Sequence, residues 1–136
     1  MTLKSCLAAL GLVIGLLLFL GPAPAATMQC PAKSTQMDDI IASLKAAKSC
    51  DAAMNVFEAC EYGASGDVQF GEVVEKKCEA DFLDKANASK KQAYKRELGV
   101  CDRKYRNESG TMYRSFTAFC RAEVAQRYSH QALKAR

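Results

Sequence analysis

Seven cysteines, a single histidine and several neighbouring acids are the residues of this 136-residue chain whose types could support chemistry. A Ser-His-Asp or Cys-His catalytic set requires an imidazole that packing can hold in place. His130 stands close to the end of the chain and reads as a solvated side chain beside a frayed helix terminus. The acids Asp38-Asp39 and Asp81/Asp84 have the side chains of a glycosidase acid–base pair, but neighbouring acids on an exposed helix are ordinarily solvated. Gly63, Gly66 and Gly71 fall in one short stretch without the Lys and the strand–loop–helix context of a phosphate loop. Catalytic and cofactor-binding residues are therefore expected to be none, and the chain is read as not an enzyme.

The cysteines carry the stronger signal. There is no C-x-x-C pair and only one His, which argues against a metal site. Cys30, Cys50, Cys60, Cys78, Cys101 and Cys120 make an even count in a short chain, the pattern of a disulfide framework in an oxidising compartment. The seventh, Cys6, opens an apolar run from Cys6 to Leu20 that follows Lys4 and ends in Gly21-Pro22-Ala23-Pro24-Ala25-Ala26. That arrangement reads as a secretory signal peptide over 1–26, cleaved after Ala25 or Ala26. The run falls short of the roughly 20 apolar residues that span a bilayer. Thr27-Met28-Gln29 before Cys30 lacks the residues expected ahead of a lipidated cysteine. Residues 27–136 are expected to form one domain.

Helices must position the thiols. Met37, Ile40, Ile41 and Leu44 recur at helical spacing behind Asp38 and Asp39, giving a helix over about 36–48. Ser49 or Asp51 can cap a second, with Ala53, Met54, Phe57 and Cys60 on one face up to Tyr62. The stretch from Gly63 to Asp67 reads as a loop, and Phe70, Val73, Val74, Cys78 and Phe82 restart the period over about 69–84. Asn87 or Ser89 can cap a fourth helix whose stripe is Tyr94, Leu98, Cys101 and Tyr105. After Ser109-Gly110 a fifth places Met112, Phe116, Phe119/Cys120, Val124 and Tyr128 on one side. No segment alternates with period two. The expected fold is all-α, a small bundle of four to five helices stapled by three disulfides.

Six cysteines allow 15 pairings. Cys101 lies nine residues before Gly110 and Cys120 ten after it, so an antiparallel pair brings the two thiols to one height. Cys50 and Cys60 on one helix would lie about 15 Å apart, beyond the roughly 7 Å that a bridge spans. Folding the second helix back along the first favours Cys30–Cys60 with Cys50–Cys78. The alternative is Cys30–Cys50 with Cys60–Cys78.

Charge divides the chain. Residues 26–84 hold 5 Lys against 11 Asp/Glu, whereas residues 85–136 hold 13 Lys/Arg against 4 Asp/Glu. One half can therefore meet an oppositely charged partner. A candidate acidic binding face comprises Asp38, Asp39, Asp51, Glu58, Glu61 and Asp67. The basic fourth and fifth helices, interleaved with Tyr94, Tyr105, Tyr113 and Tyr128, suit an anionic surface, and nucleic acid is not expected for an exported chain.

Gln92-Ala93-Tyr94, Cys101, Ser109-Gly110-Thr111, Cys120-Arg121-Ala122-Glu123 and Arg127 together resemble the C-terminal part of the LprI-type lysozyme-inhibitor-like domain family of bacterial envelope proteins. The resemblance covers about a third of the chain after the leader. Tyr94 stands where that family usually has Trp, and Leu98-Gly99 replaces an Arg-Asp pair before the first Cys. It implies a small helical, disulfide-bearing periplasmic or surface domain and, for some members, inhibition of host lysozyme. The expected function is an exported non-enzymatic binding protein whose partner is lysozyme or another basic protein. The alternative is a structural envelope-associated protein whose basic helices bind anionic lipid or cell-wall polymer.

Overall fold

A computed structural model describes residues 28–135, so the signal-peptide expectation for 1–26 lies outside the described residues. Within them are five α-helices and no strand: α1 Met37–Ala46, α2 Cys50–Cys60, α3 Asp67–Glu79, α4 Ala88–Lys104 and α5 Thr111–Lys134. None is long and apolar enough to cross a membrane.

Local chemistry sets the helix ends. Ser49 Oγ accepts the N–H of Ala52 at 3.1 Å and starts α2, and Asn87 Oδ1 accepts the N–H of Lys90 at 2.9 Å and starts α4. The last carbonyls of α1 are met from another helix, because Lys77 Nζ donates to the oxygens of Lys45 and Ala47 at 2.8 and 2.5 Å. Gly110 has φ of 120°, a conformation that glycine adopts without a Cβ clash, and the chain reverses there between α4 and α5.

Cross-contacts give the direction of each helix. Tyr62 Oη, just past α2, donates to the Thr35 carbonyl ahead of α1, so these two helices are antiparallel. Cys50, at the start of α2, is bonded to Cys78 near the end of α3, so α2 and α3 are antiparallel as well. Asp67 meets Ser115, Gly71 faces Ala118 and Glu75 binds Arg121, an advance in step that makes α3 and α5 parallel. Helix α4 runs antiparallel to α5, with Glu97 level with Tyr128 and Asp102 level with Arg121. The order is up-down-up-down-up.

The core joins Ile40 and Leu44 of α1, Ala53, Met54 and Phe57 of α2, Phe70 and Val74 of α3, and Leu98, Val124 and Ala125 of α4 and α5. Phe57 stacks on Phe119 with ring centroids 4.0 Å apart. Phe82, Tyr94 and Tyr128 form a second aromatic group with centroids 5.0–5.5 Å apart. The disulfides are Cys30–Cys60, Cys50–Cys78 and Cys101–Cys120, with Cα separations of 4.8, 4.6 and 5.6 Å. This is the favoured pairing; Cys30–Cys50 with Cys60–Cys78 is not found.

Several expectations are corrected. α3 starts at Asp67, inside the expected loop, and ends at Glu79; Phe82 is buried from the turns that follow it. The buried face of α5 is built largely from Ser115, Ala118, Ala122, Ala125 and Ser129, while Met112 and Phe116 stay 46% and 41% exposed. The reason is the closeness of α3: a Cβ at Gly71 would come within 3.0 Å of the Ala118 Cβ, so only small side chains fit between the two axes. Helix α5 runs to Lys134, so His130 lies within the helix, about one turn from its last residue.

Candidate functional site

The six acids proposed from sequence do not form one face. Contacts of Met37, Tyr62 and Thr35 bring the start of α1 and the end of α2 to the same pole, with Asp38, Asp39, Glu58 and Glu61 there. Asp38, Glu58 and Glu61 are exposed. Asp39 is half-buried and accepts a hydrogen bond from Ser34 Oγ at 2.5 Å. Burial, reinforced by the charges of Asp67 and Glu58, pushes the Glu61 carboxyl above the ordinary carboxylate range.

Asp67 is fully buried and unavailable to a partner. Its carboxylate accepts the N–H groups of Tyr62 at 2.8 Å and Ala64 at 3.3 Å and the Ser115 hydroxyl at 2.6 Å. Asp51 begins α2 at the opposite pole from Glu58 and Glu61 and contacts the last turns of α5. Gln126 Nε2 lies 2.7 Å and His130 Nε2 2.6 Å from its Oδ1. Those hydrogen bonds, Gln126 first and then His130, hold the Asp51 carboxyl below its ordinary value. His130 is thus engaged on the surface by Asp51.

A groove of about 710 Å³ opens between α3, the C-terminal end of α4 and the first half of α5. That volume is in the range of ligand pockets, roughly 300–1,000 Å³. One wall carries Glu72, Glu75, Lys76 and Glu79 of α3; the other carries Tyr105 and Arg106 from the end of α4 and Tyr113, Arg114 and Arg121 from α5. Arg121 spans the groove. It donates to both oxygens of Glu75 at 3.0 and 2.8 Å and to both oxygens of Asp102 at 2.8 and 3.0 Å. Burial opposes its charge, but these bonds more than offset that and hold the guanidinium protonated. Deeper in, Tyr94 Oη donates to Glu79 Oε1 at 3.0 Å, and burial pushes both the Tyr94 phenol and the Glu79 carboxyl up. These carboxylates and the guanidinium are committed to one another, an arrangement that positions helices.

Among the described residues no group of three or more His, Cys, Asp or Glu is placed to hold a metal ion, and all six cysteines are in disulfides. The sequence reading missed the groove. The helical spacing of Glu72, Glu75 and Glu79 was visible, but Arg121, which bonds Glu75, and Tyr94, which bonds Glu79, are not local to them in the chain. Comparison with protein-family models, with curated proteins and with solved structures finds no match.

Proposed function

We propose that the chain is an exported, non-enzymatic binding protein of the bacterial envelope, periplasmic or secreted, whose partner is lysozyme or another basic protein met at the α1–α2 pole. The observation that carries this reading is the crowding of carboxylates there. Asp38, Asp39, Glu58 and Glu61 gather at one end, and the Glu61 carboxyl is raised by burial first and then by the charges of Asp67 and Glu58. A cationic side chain arriving at that pole relieves the mutual repulsion and steers approach. Three disulfides support an oxidising compartment, and the resemblance carried by residues 92–127 supports lysozyme among basic partners.

The test is a cell-wall turbidity assay with purified mature protein added to lysozyme at micromolar concentration. Slowed lysis that Glu58→Lys with Glu61→Lys abolishes supports the reading. Unslowed lysis removes lysozyme as the partner.

A further inference from the structure

We propose that the outer face of α4 and the α4–α5 turn form a docking surface for an anionic lipid bilayer. Helix α4 lies at close backbone range against α5 and no other helix, so much of its circumference faces solvent. Its two carboxylates are paired with α5 side chains while staying partly exposed, with side-chain exposures of 42% for Glu97 and 51% for Asp102. Glu97 accepts from Arg127 and from the Tyr128 hydroxyl, and Asp102 accepts from Arg121. Its cations are left outside: Lys95, Arg96, Arg103 and Lys104 are exposed, and none has a hydrogen bond or ion pair among the described residues. Lys104 instead lies 5.1 Å from the centroid of the Tyr105 ring.

Apolar side chains accompany these cations. Val100 is 55% exposed on α4, and Met112 and Phe116 are exposed just past the turn. Phe116 is one corner of an aromatic triad with Tyr105 and Tyr113, with centroids 5.6–6.0 Å apart. A soluble polyanion would neutralise the cations but leave Val100, Met112 and Phe116 in water. A purely apolar partner would strand the cations. An anionic bilayer surface accommodates both, since its headgroups attract Lys and Arg while Tyr, Phe and Met enter the interfacial layer.

The acids of α1 and α2 lie away from that face, while Glu72, Glu75 and Glu79 of α3 line the groove beside Tyr105 and Tyr113. The acidic helices α1 and α2 pack on α3, and α2 also on α5, but neither touches α4. Their carboxylates are therefore held apart from the docking face, with Glu108 the acid that lies in the turn itself. This surface shares no residue with the α1–α2 pole, so either can fail alone.

Co-sedimentation of the mature chain with phosphatidylcholine vesicles, with and without about one third phosphatidylglycerol, tests the inference at low and high salt. The expected result is binding to the anionic vesicles alone, weakened by salt. Met112→Ala with Phe116→Ala should weaken it by roughly tenfold at unchanged charge. Arg96→Ala with Arg103→Ala should weaken it and flatten the salt dependence. If the Phe116 variant melts early, Val100→Ser reads the apolar contribution instead. Absent binding, equal binding to neutral vesicles, apolar variants that bind like the parent, or equally tight binding to soluble polyglutamate would each overturn the inference.

Discussion

Asp67 has no exposure and three hydrogen-bond donors around its carboxylate: two backbone N–H groups of the loop that precedes α3 and one hydroxyl from α5. Asp67→Ala leaves all three without this acceptor, the Ser115 hydroxyl in the interior and the two N–H groups part-buried, and a loss of about 2–4 kcal/mol is expected, read by urea denaturation. Asp51 makes a contrasting prediction, through pH. Its folded-state carboxyl lies below its ordinary value because Gln126 and His130 bond to it. Its contribution is therefore present above about pH 4, the ordinary Asp value, and lost as pH falls through the lower folded value. The stability difference between the parent and Asp51→Asn should shrink steadily as pH is lowered from about 5 to 2; a constant difference would contradict the assignment. Sequence alone places Asp51 as a possible helix cap and Asp67 in a loop, and shows neither as buried. Which of the two is buried depends on α5, which meets each from more than 45 positions away.

At the scale of elements, the pairing of α3 with α5 governs the bundle. Gly71 and Ala118 bring the two helices close enough that a Cβ on Gly71 meets both the side chain and the carbonyl of Ala118, at 3.0 and 3.1 Å. Gly71→Leu should force them apart and cost about 3 kcal/mol, in the upper range of overpacking changes, as followed by thermal melting. Gly99 in α4 is the control. Its added Cβ meets only the flexible end of Arg103, so Gly99→Ala should stabilise by about 0.5–1 kcal/mol through helix propensity. The two glycines look alike in sequence, each inside an apolar-periodic helix. The sequence reading followed the large side chains of α5 and so placed Met112 and Phe116 inside. Small residues carry little hydrophobic signal, although they are what allow close helix packing.

For the whole molecule, the bridges tie each end of the bundle. Cys30–Cys60 fastens the N-terminal arm, Cys50–Cys78 joins α2 to α3, and Cys101–Cys120 joins α4 to α5. Replacing Cys101 and Cys120 by Ala should cost about 2–4 kcal/mol, and a non-reducing peptide map should recover the same three pairs. A map joining Cys78 to Cys101 would contradict the fold. The all-helical class, the pairs of candidate caps that begin α2 and α4, and the matched heights of Cys101 and Cys120 were determined by the sequence itself. Each depends on local spacing, on a cap within three residues, or on rise per residue. The burial of Asp67, the small-residue seam between α3 and α5 and the groove closed by Arg121 were decided only by tertiary structure. Each depends on which distant helix arrives opposite a residue, and the chain's local periodicity does not encode that partner.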